Sequence, residues 1–274
     1  MKVTASGPPR HGFSLSIWSS VLFGFLAIKA ILSLGLGLGD KLAPYGTSIY
    51  FLLLLLATGF AIRNAIERTL GRRAFWVFIA VGYGLWALDQ WLFVYYVVFR
   101  NIDVPDSSIA DPALFLHLVP LMAAVVMQPH LNRSDQKAYR ASLTFLFLLV
   151  AWVFLYAYAL FPYQYLFASP DIYNPRFTTL YGIENLALIL ILCLVVRRAQ
   201  RPWTSIYYHL LGASTLYAAS SAVANVAIDL GRAYNGSLYS LALNAAACWF
   251  LWVTLHARHL APGASSAEEL DARG

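Results

Sequence analysis

The stretch Gly82-Tyr83-Gly84-Leu85-Trp86-Ala87-Leu88-Asp89-Gln90-Trp91-Leu92-Phe93-Val94-Tyr95-Tyr96 decides how the chain is read. It lies inside an apolar run long enough to cross a bilayer, yet it carries an acid and an amide near its centre. At helical spacing, Gly82, Trp86, Asp89/Gln90, Phe93 and Tyr96 share one face. An acid at that depth belongs on the side turned away from lipid, so this face is expected to look into a bundle.

Composition agrees. The chain is 60% hydrophobic and 12% charged, which excludes an ordinary soluble domain of this length and places it among integral membrane proteins. The formal charge of +6 does not point to nucleic acid, because the basic residues form short clusters between apolar runs rather than one polar face. The two cysteines, Cys193 and Cys248, fall within apolar runs and have no metal-ligand neighbours in sequence, so neither a structural disulfide nor a metal site is expected.

Working outward, eight apolar segments of spanning length can be drawn: Ser14 to Leu38, Tyr45 to Ile62, Phe75 to Phe99, Ile109 to Gln128, Ala141 to Phe161, Phe177 to Val196, Trp203 to Ile228, and Leu238 to His256. None alternates as a barrel stave does. The expectation is an all-α integral membrane protein of eight helices, with seven as the alternative. Residues 1–13 form a cytoplasmic N-terminal segment, 14–260 the transmembrane domain, and 261–274 a cytoplasmic linker or tail. With both termini inside, the inner loops collect Arg63, Arg68, Arg72, Arg73, Arg133, Lys137, Arg140, Arg197, Arg198 and Arg201. The outer side keeps only Lys41, Arg100, Arg176 and Arg232.

Two outer features stand out. Asp111 and Pro112 suit a helix start and Pro120 interrupts the same span, so a kink is expected there. Tyr163 to Pro175 is rich in aromatics and reads as an outer loop, either an interfacial belt or a cap over a cavity.

The candidate ligand-binding residues are Trp86, Asp89, Gln90, Phe93, Tyr96, His117, Glu184, Asn185 and Asn244, with Asn225 and Asp229 at similar depth. In this reading Asp89 and Gln90 hold a polar or cationic group, His117 and Glu184 complete the site, and the aromatics pack on it. Lys29 lies deep in the first span and is a candidate ion-pair partner for Asp89; the alternative is that Lys29 snorkels and Asp89 stays neutral. A lysine only in the first span argues against retinal chemistry. No His-Glu-x-x-His, Gly-x-Ser-x-Gly or phosphate-loop motif is present, so no catalytic residues and no cofactor are expected.

The helix at Phe75 to Phe99, the outer loop, Ser108-Ile109-Ala110-Asp111, Phe115-Leu116 and Pro120 together resemble the N-terminal membrane sensory regions of bacterial diguanylate cyclases (GGDEF proteins) and some sensor histidine kinases. The resemblance covers roughly Phe75 to Pro120. It implies an input module in the bacterial inner membrane that detects a small ligand and signals through its last helix to a cytoplasmic domain or partner, with a homodimer among the arrangements it allows. No cyclase or kinase residues precede Gly274, so the expectation is an excised or truncated sensor region, or one whose partner supplies the output. A transporter or channel-like protein using Lys29, Asp89, Glu184 and His117 is the alternative, and an intramembrane enzyme comes third.

Overall fold

The computed structural model describes residues 12–35, 43–67, 70–102, 108, 110–127, 136–199, 203–230 and 237–260. The expectations for the N-terminal segment before residue 12, for the tail from residue 261 and for Lys41, Arg68, Arg133, Arg201 and Arg232 lie outside them. Nearly everything described is helical, with no strand among the described residues. The elements are α1 (Gly12–Ala30), α2 (Ala43–Ile66), α3 (Leu70–Val94), α4 (Ala110–Leu116), α5 (Leu118–Val126), α6 (Gln136–Leu155), α7 (Pro170–Arg198), α8 (Trp203–Asp229) and α9 (Leu238–Leu260). Wider π-helical turns extend three of them, at Ile31–Gly35 after α1, Tyr95–Arg100 after α3 and Tyr156–Leu160 after α6, and a further one follows at Pro162–Leu166.

Among the described residues, seven helices are long and apolar enough to cross a membrane. The fourth expected span differs: Ala110–Val126 is shorter and is broken at His117. Pro120 has no N–H to give to the carbonyl of Leu116, so the ladder opens one turn before the proline. Every residue from Leu118 to Val125 is nevertheless buried.

The packing forms a closed ring in the order α2, α3, α5, α7, α8, α9 and back to α2. The short α5 is therefore a full member of the wall, while α1 lies outside on α9 and α6 lies outside on α5. Burial separates the two groups: 44% of the best apolar window of α3 is buried, against 6% for α1 and 11% for α6. The outward faces are apolar, with Phe23, Phe147, Tyr158 and Leu238 all more than 70% exposed, as lipid-facing surfaces are.

Close approach inside the ring depends on two glycines. A methyl group at Gly82 of α3 would meet Leu121 at 2.7 Å and the His117 carbonyl oxygen at 2.9 Å, so only glycine lets α3 lie against the break before α5. At Gly212 of α8 a methyl would lie 2.4 Å from the Trp249 indole of α9.

The aromatic segment Tyr163 to Pro175 is not the loop that its prolines and tyrosines imply. It is helical except for residues 167–169, with Pro170 opening α7 and Pro175 held inside it. Proline at the first position of a helix loses no hydrogen bond, which is why α7 begins there. The cap of α4 also differs from expectation. Ser108 Oγ accepts the Ala110 N–H at 3.2 Å, leaving the Asp111 carboxylate free to reach across the bundle.

Candidate functional site

Each member of the ring sends a side chain to one buried cluster. Trp86 of α3 is its hub, with ring centroids 5.0 Å from His117, 4.5 Å from Tyr217 of α8, 5.8 Å from Tyr50 of α2 and 5.8 Å from Phe250 of α9. His117 lies in the break between α4 and α5, 6.1 Å from Tyr181 of α7 and 6.0 Å from Tyr217. The hydroxyls of Tyr181 and Tyr217 hydrogen-bond to each other, and both tyrosines are within electrostatic reach of Asp89 and Glu184.

The polar side chains here are sealed from solvent. Asp89 is 1% exposed, and His117 and Glu184 are fully buried. Asp89 Oδ2 accepts a 2.8 Å hydrogen bond from Gln90 Nε2, whereas Asp89 Oδ1 has no partner. His117 Nδ1 faces the carbonyl oxygen of Leu114. A carbonyl only accepts, so this nitrogen carries the proton and Nε2 is left as an unpartnered acceptor. Both carboxyl oxygens of Glu184 also lack partners. A chain normally satisfies its buried polar atoms, so four such atoms from three helical elements mark this as the least self-sufficient part of the core.

Of the residues expected from sequence, Trp86, Asp89, His117 and Glu184 come together here. Asn185 packs nearby on α7 but spends its amide on the Tyr181 carbonyl at 2.9 Å. Asn244 is buried in α9 and donates to the Ser240 carbonyl at 2.8 Å. Phe93 and Tyr96 do not share the inward face as fully as Asp89. Both are only half-buried, and Tyr96 stacks edge-on with its neighbour Tyr95 at 5.2 Å. The winding changes to π at Tyr95, which rotates later residues off the α-helical face. Asn225 is half-buried, and the Asp229 side chain lies outside the described residues.

Lys29 and Asp89 form no ion pair. Lys29 lies beside Cys248 of α9, and its amine is 3.8 Å from where a methyl at Gly46 of α2 would sit. Tyr50 of α2 is within electrostatic reach of both Cys248 and Asp89. Equal depth along two helices did not bring them together because α1 lies outside the ring, on α9.

A second polar cluster closes the outer end and was missed in sequence. One carboxyl oxygen of Asp111 accepts hydrogen bonds from Tyr173 OH of α7 at 2.7 Å and Gln164 Nε2 at 2.8 Å. Gln164 Oε1 in turn accepts from Tyr156 OH, and Tyr165 OH donates to the Ser108 carbonyl at 2.9 Å. Arg176 lies over the Tyr163 ring at 4.1 Å. Asp111 and Asp89 are within electrostatic reach of each other, so this cluster neighbours the buried one. The sequence signal was available in the close succession of Tyr156, Gln164, Tyr165 and Tyr173, but nothing in it specified Asp111 as their common acceptor.

Among the described residues no group of three or more His, Cys, Asp or Glu side chains is placed to hold a metal ion. Compared with known proteins, the chain matches no family model, and no curated protein or solved structure is significantly similar to it. Fold and site together define the class: a multi-pass, all-helical membrane protein with an ionisable core.

Proposed function

We propose that the chain is a membrane-embedded sensory module that takes up a small ligand from the outer side and reports it through α9. In this arrangement α4 and α5 together make an eighth crossing and both termini lie on the cytoplasmic side, as the distribution of basic residues favours. The observation that carries the reading is the gathering of unpartnered polar atoms, Asp89 Oδ1, His117 Nε2 and both Glu184 carboxyl oxygens, about the aromatic hub of Trp86, Tyr181 and Tyr217 at a helix break. Broken helices beside buried ionisable groups are where membrane proteins place ligand sites.

A route for the signal is also built in. Phe250 of α9 packs on both Trp86 and Tyr83, and Trp252 Nε1 of α9 donates to Ser19 Oγ of α1 at 2.9 Å. A ligand that prefers one packing of Trp86 shifts α9 relative to α1, and any attached cytoplasmic domain or partner reads that shift.

The test is access. In a background with Cys193 and Cys248 replaced by alanine, a membrane-impermeant maleimide is applied to intact cells and to inverted vesicles carrying Gln90→Cys, with Asn101→Cys and Glu67→Cys as outer and inner controls. Gln90→Cys is expected to react from the outer side only. Reaction from both sides replaces the sensor reading with a transporter, and reaction from the inner side alone refutes the outward-facing site.

A further inference from the structure

The described histidines answer differently to a proton. His117 Nδ1 faces the backbone carbonyl oxygen of Leu114, and His256 Nδ1 that of Trp252 at 2.9 Å. A carbonyl only accepts, so these nitrogens carry the proton of the neutral ring, and the bonds survive when the ring becomes charged. His209 of α8 is the reverse case. Its Nδ1 lies 3.2 Å from Trp249 Nε1 of α9. An indole nitrogen only donates, so His209 Nδ1 accepts and the proton of the neutral ring is on Nε2. Among the described residues, His209 is the histidine whose recorded bond requires a neutral ring.

Packing gives that bond its leverage. Trp249 lies against Gly212, about one turn beyond His209 in α8, so closely that a methyl there would stand 2.4 Å from the indole Cη2. The indole therefore grips α8 at two points, its ring on Gly212 and its N–H on His209. Three residues further along α9, the Trp252 ring lies 4.8 Å from the His209 ring and 4.7 Å from the His256 ring. Trp252 Nε1 is spent on Ser19 Oγ of α1, so what Trp252 offers His209 is its π system.

No charged side chain among the described residues acts electrostatically on His209. On α9 the nearest titratable group is His256, on the same indole. From α1 the contact is Ser19, and Lys29 lies beside Cys248, about 15 Å further along that helix. α7, which packs on α8, carries half-buried Cys193 and ends in exposed Arg197 and Arg198. On α8 itself Tyr207 is buried against Phe75 and Trp203, and Tyr208 is exposed. His209 is half-buried and about 9 Å from the start of α8, within reach of the membrane surface at which α7 ends.

We infer that His209 is a proton-operated latch between α8 and α9. The neutral ring accepts the Trp249 N–H and holds the two helices together. Protonation sets N–H against N–H, so the Trp249 bond is lost and the imidazolium turns to the Trp252 ring, one turn along α9. The change of partner moves α9 against α8 with no ligand at the buried cluster, and it stands independently of the sensor reading.

The experiment uses the full chain in lipid bilayers, with isotope-labelled nitrogen in tryptophan and histidine, followed by NMR between about pH 8 and pH 5, the range over which an imidazole changes charge. At the upper end one indole N–H is expected to show a nitrogen–nitrogen coupling across its hydrogen bond to a histidine Nδ1, and the coupling is expected to vanish as that ring becomes charged. Trp249→Phe removes this indole signal. His209→Asn keeps an acceptor near the Nδ1 position but takes no charge, so the Trp249 signal, which moves with pH in the wild type, is expected to stand still. His256→Asn is expected to leave the movement in place. Absence of the coupling at the upper end overturns the latch, as does its persistence to the lower end or an equal movement of the Trp249 signal in His209→Asn. The wild-type coupling decides the matter even where a variant fails to fold. Outer-side labelling of Gln90→Cys is a separate result, so the latch and the sensor reading fail independently.

Discussion

Replacing Gly82 by alanine tests the packing that creates the site. The added methyl would stand 2.7 Å from Leu121 Cγ and Cδ2 and 2.9 Å from the His117 carbonyl oxygen. Leu121 is 4% exposed and walled in, and the carbonyl is backbone at the break between α4 and α5, so neither yields cheaply. Overpacking of this kind costs about 1–3 kcal/mol. Alanine returns about 0.8–1.0 kcal/mol of helix propensity relative to glycine. The balance is a net loss of about 0–2 kcal/mol, against a net gain at an unobstructed glycine. Gly59 of α2 and Gly182 of α7 provide the internal control, because a methyl at either meets nothing within 4 Å. There the propensity gain stands alone, and alanine is expected to be neutral or mildly stabilising. The assay is reversible denaturation in mixed micelles followed by helical circular dichroism, with all three variants in parallel. A Gly82→Ala protein as stable as Gly59→Ala would refute the close approach of α3 to the break. Leu121→Ala lowers stability by itself, and combined with Gly82→Ala it is expected to cost less than the sum of the two single losses, since it relieves one of the two clashes.

Two further outcomes follow from the hydrogen bonds between elements. Asn64 of α2 is fully buried and donates to the Thr254 carbonyl of α9 at 2.8 Å, so Asn64→Ala is expected to lower stability by about 0.6–1.7 kcal/mol in the same assay. At the outer end, Tyr173→Phe removes one donor to Asp111 and is expected to cost about 1.5–3 kcal/mol, as hydrogen bonds to charged groups do. Asp111→Ala is expected to cost more than Tyr173→Phe, because it strands both Tyr173 OH and Gln164 Nε2; equal losses would show that Gln164 contributes nothing through this carboxylate.

Asp111, Tyr173 and Gln164 tie α4, α7 and the turn at Pro162–Leu166 together.

The sequence by itself determined the class of the molecule and the depth of its polar residues. Runs of about twenty apolar residues fix helices of spanning length because an unpaired backbone is too costly in hydrocarbon. Pro120 marked the interruption of the fourth helix before any coordinates, and Asp89, His117 and Glu184 stood out because ionisable side chains are rare in such runs. Depth along a helix is one coordinate, however, and the site is set by two others. Lys29 matches Asp89 in depth, yet α1 lies outside the ring on α9. Tyr96 shares a face with Asp89 under α-helical winding, and the π turn at Tyr95–Arg100 breaks that phase, whereas Phe93, still within α3, is only half-buried. Tyr181 and Tyr217, on different helices, became partners only when α7 packed against α8. Rotation about the helix axis and the choice of neighbours follow from side-chain packing across the ring, which a one-dimensional hydrophobic pattern does not encode. For that reason the acid in the middle of an aromatic helix was legible from the start, and the aromatic and polar side chains gathered around it were not.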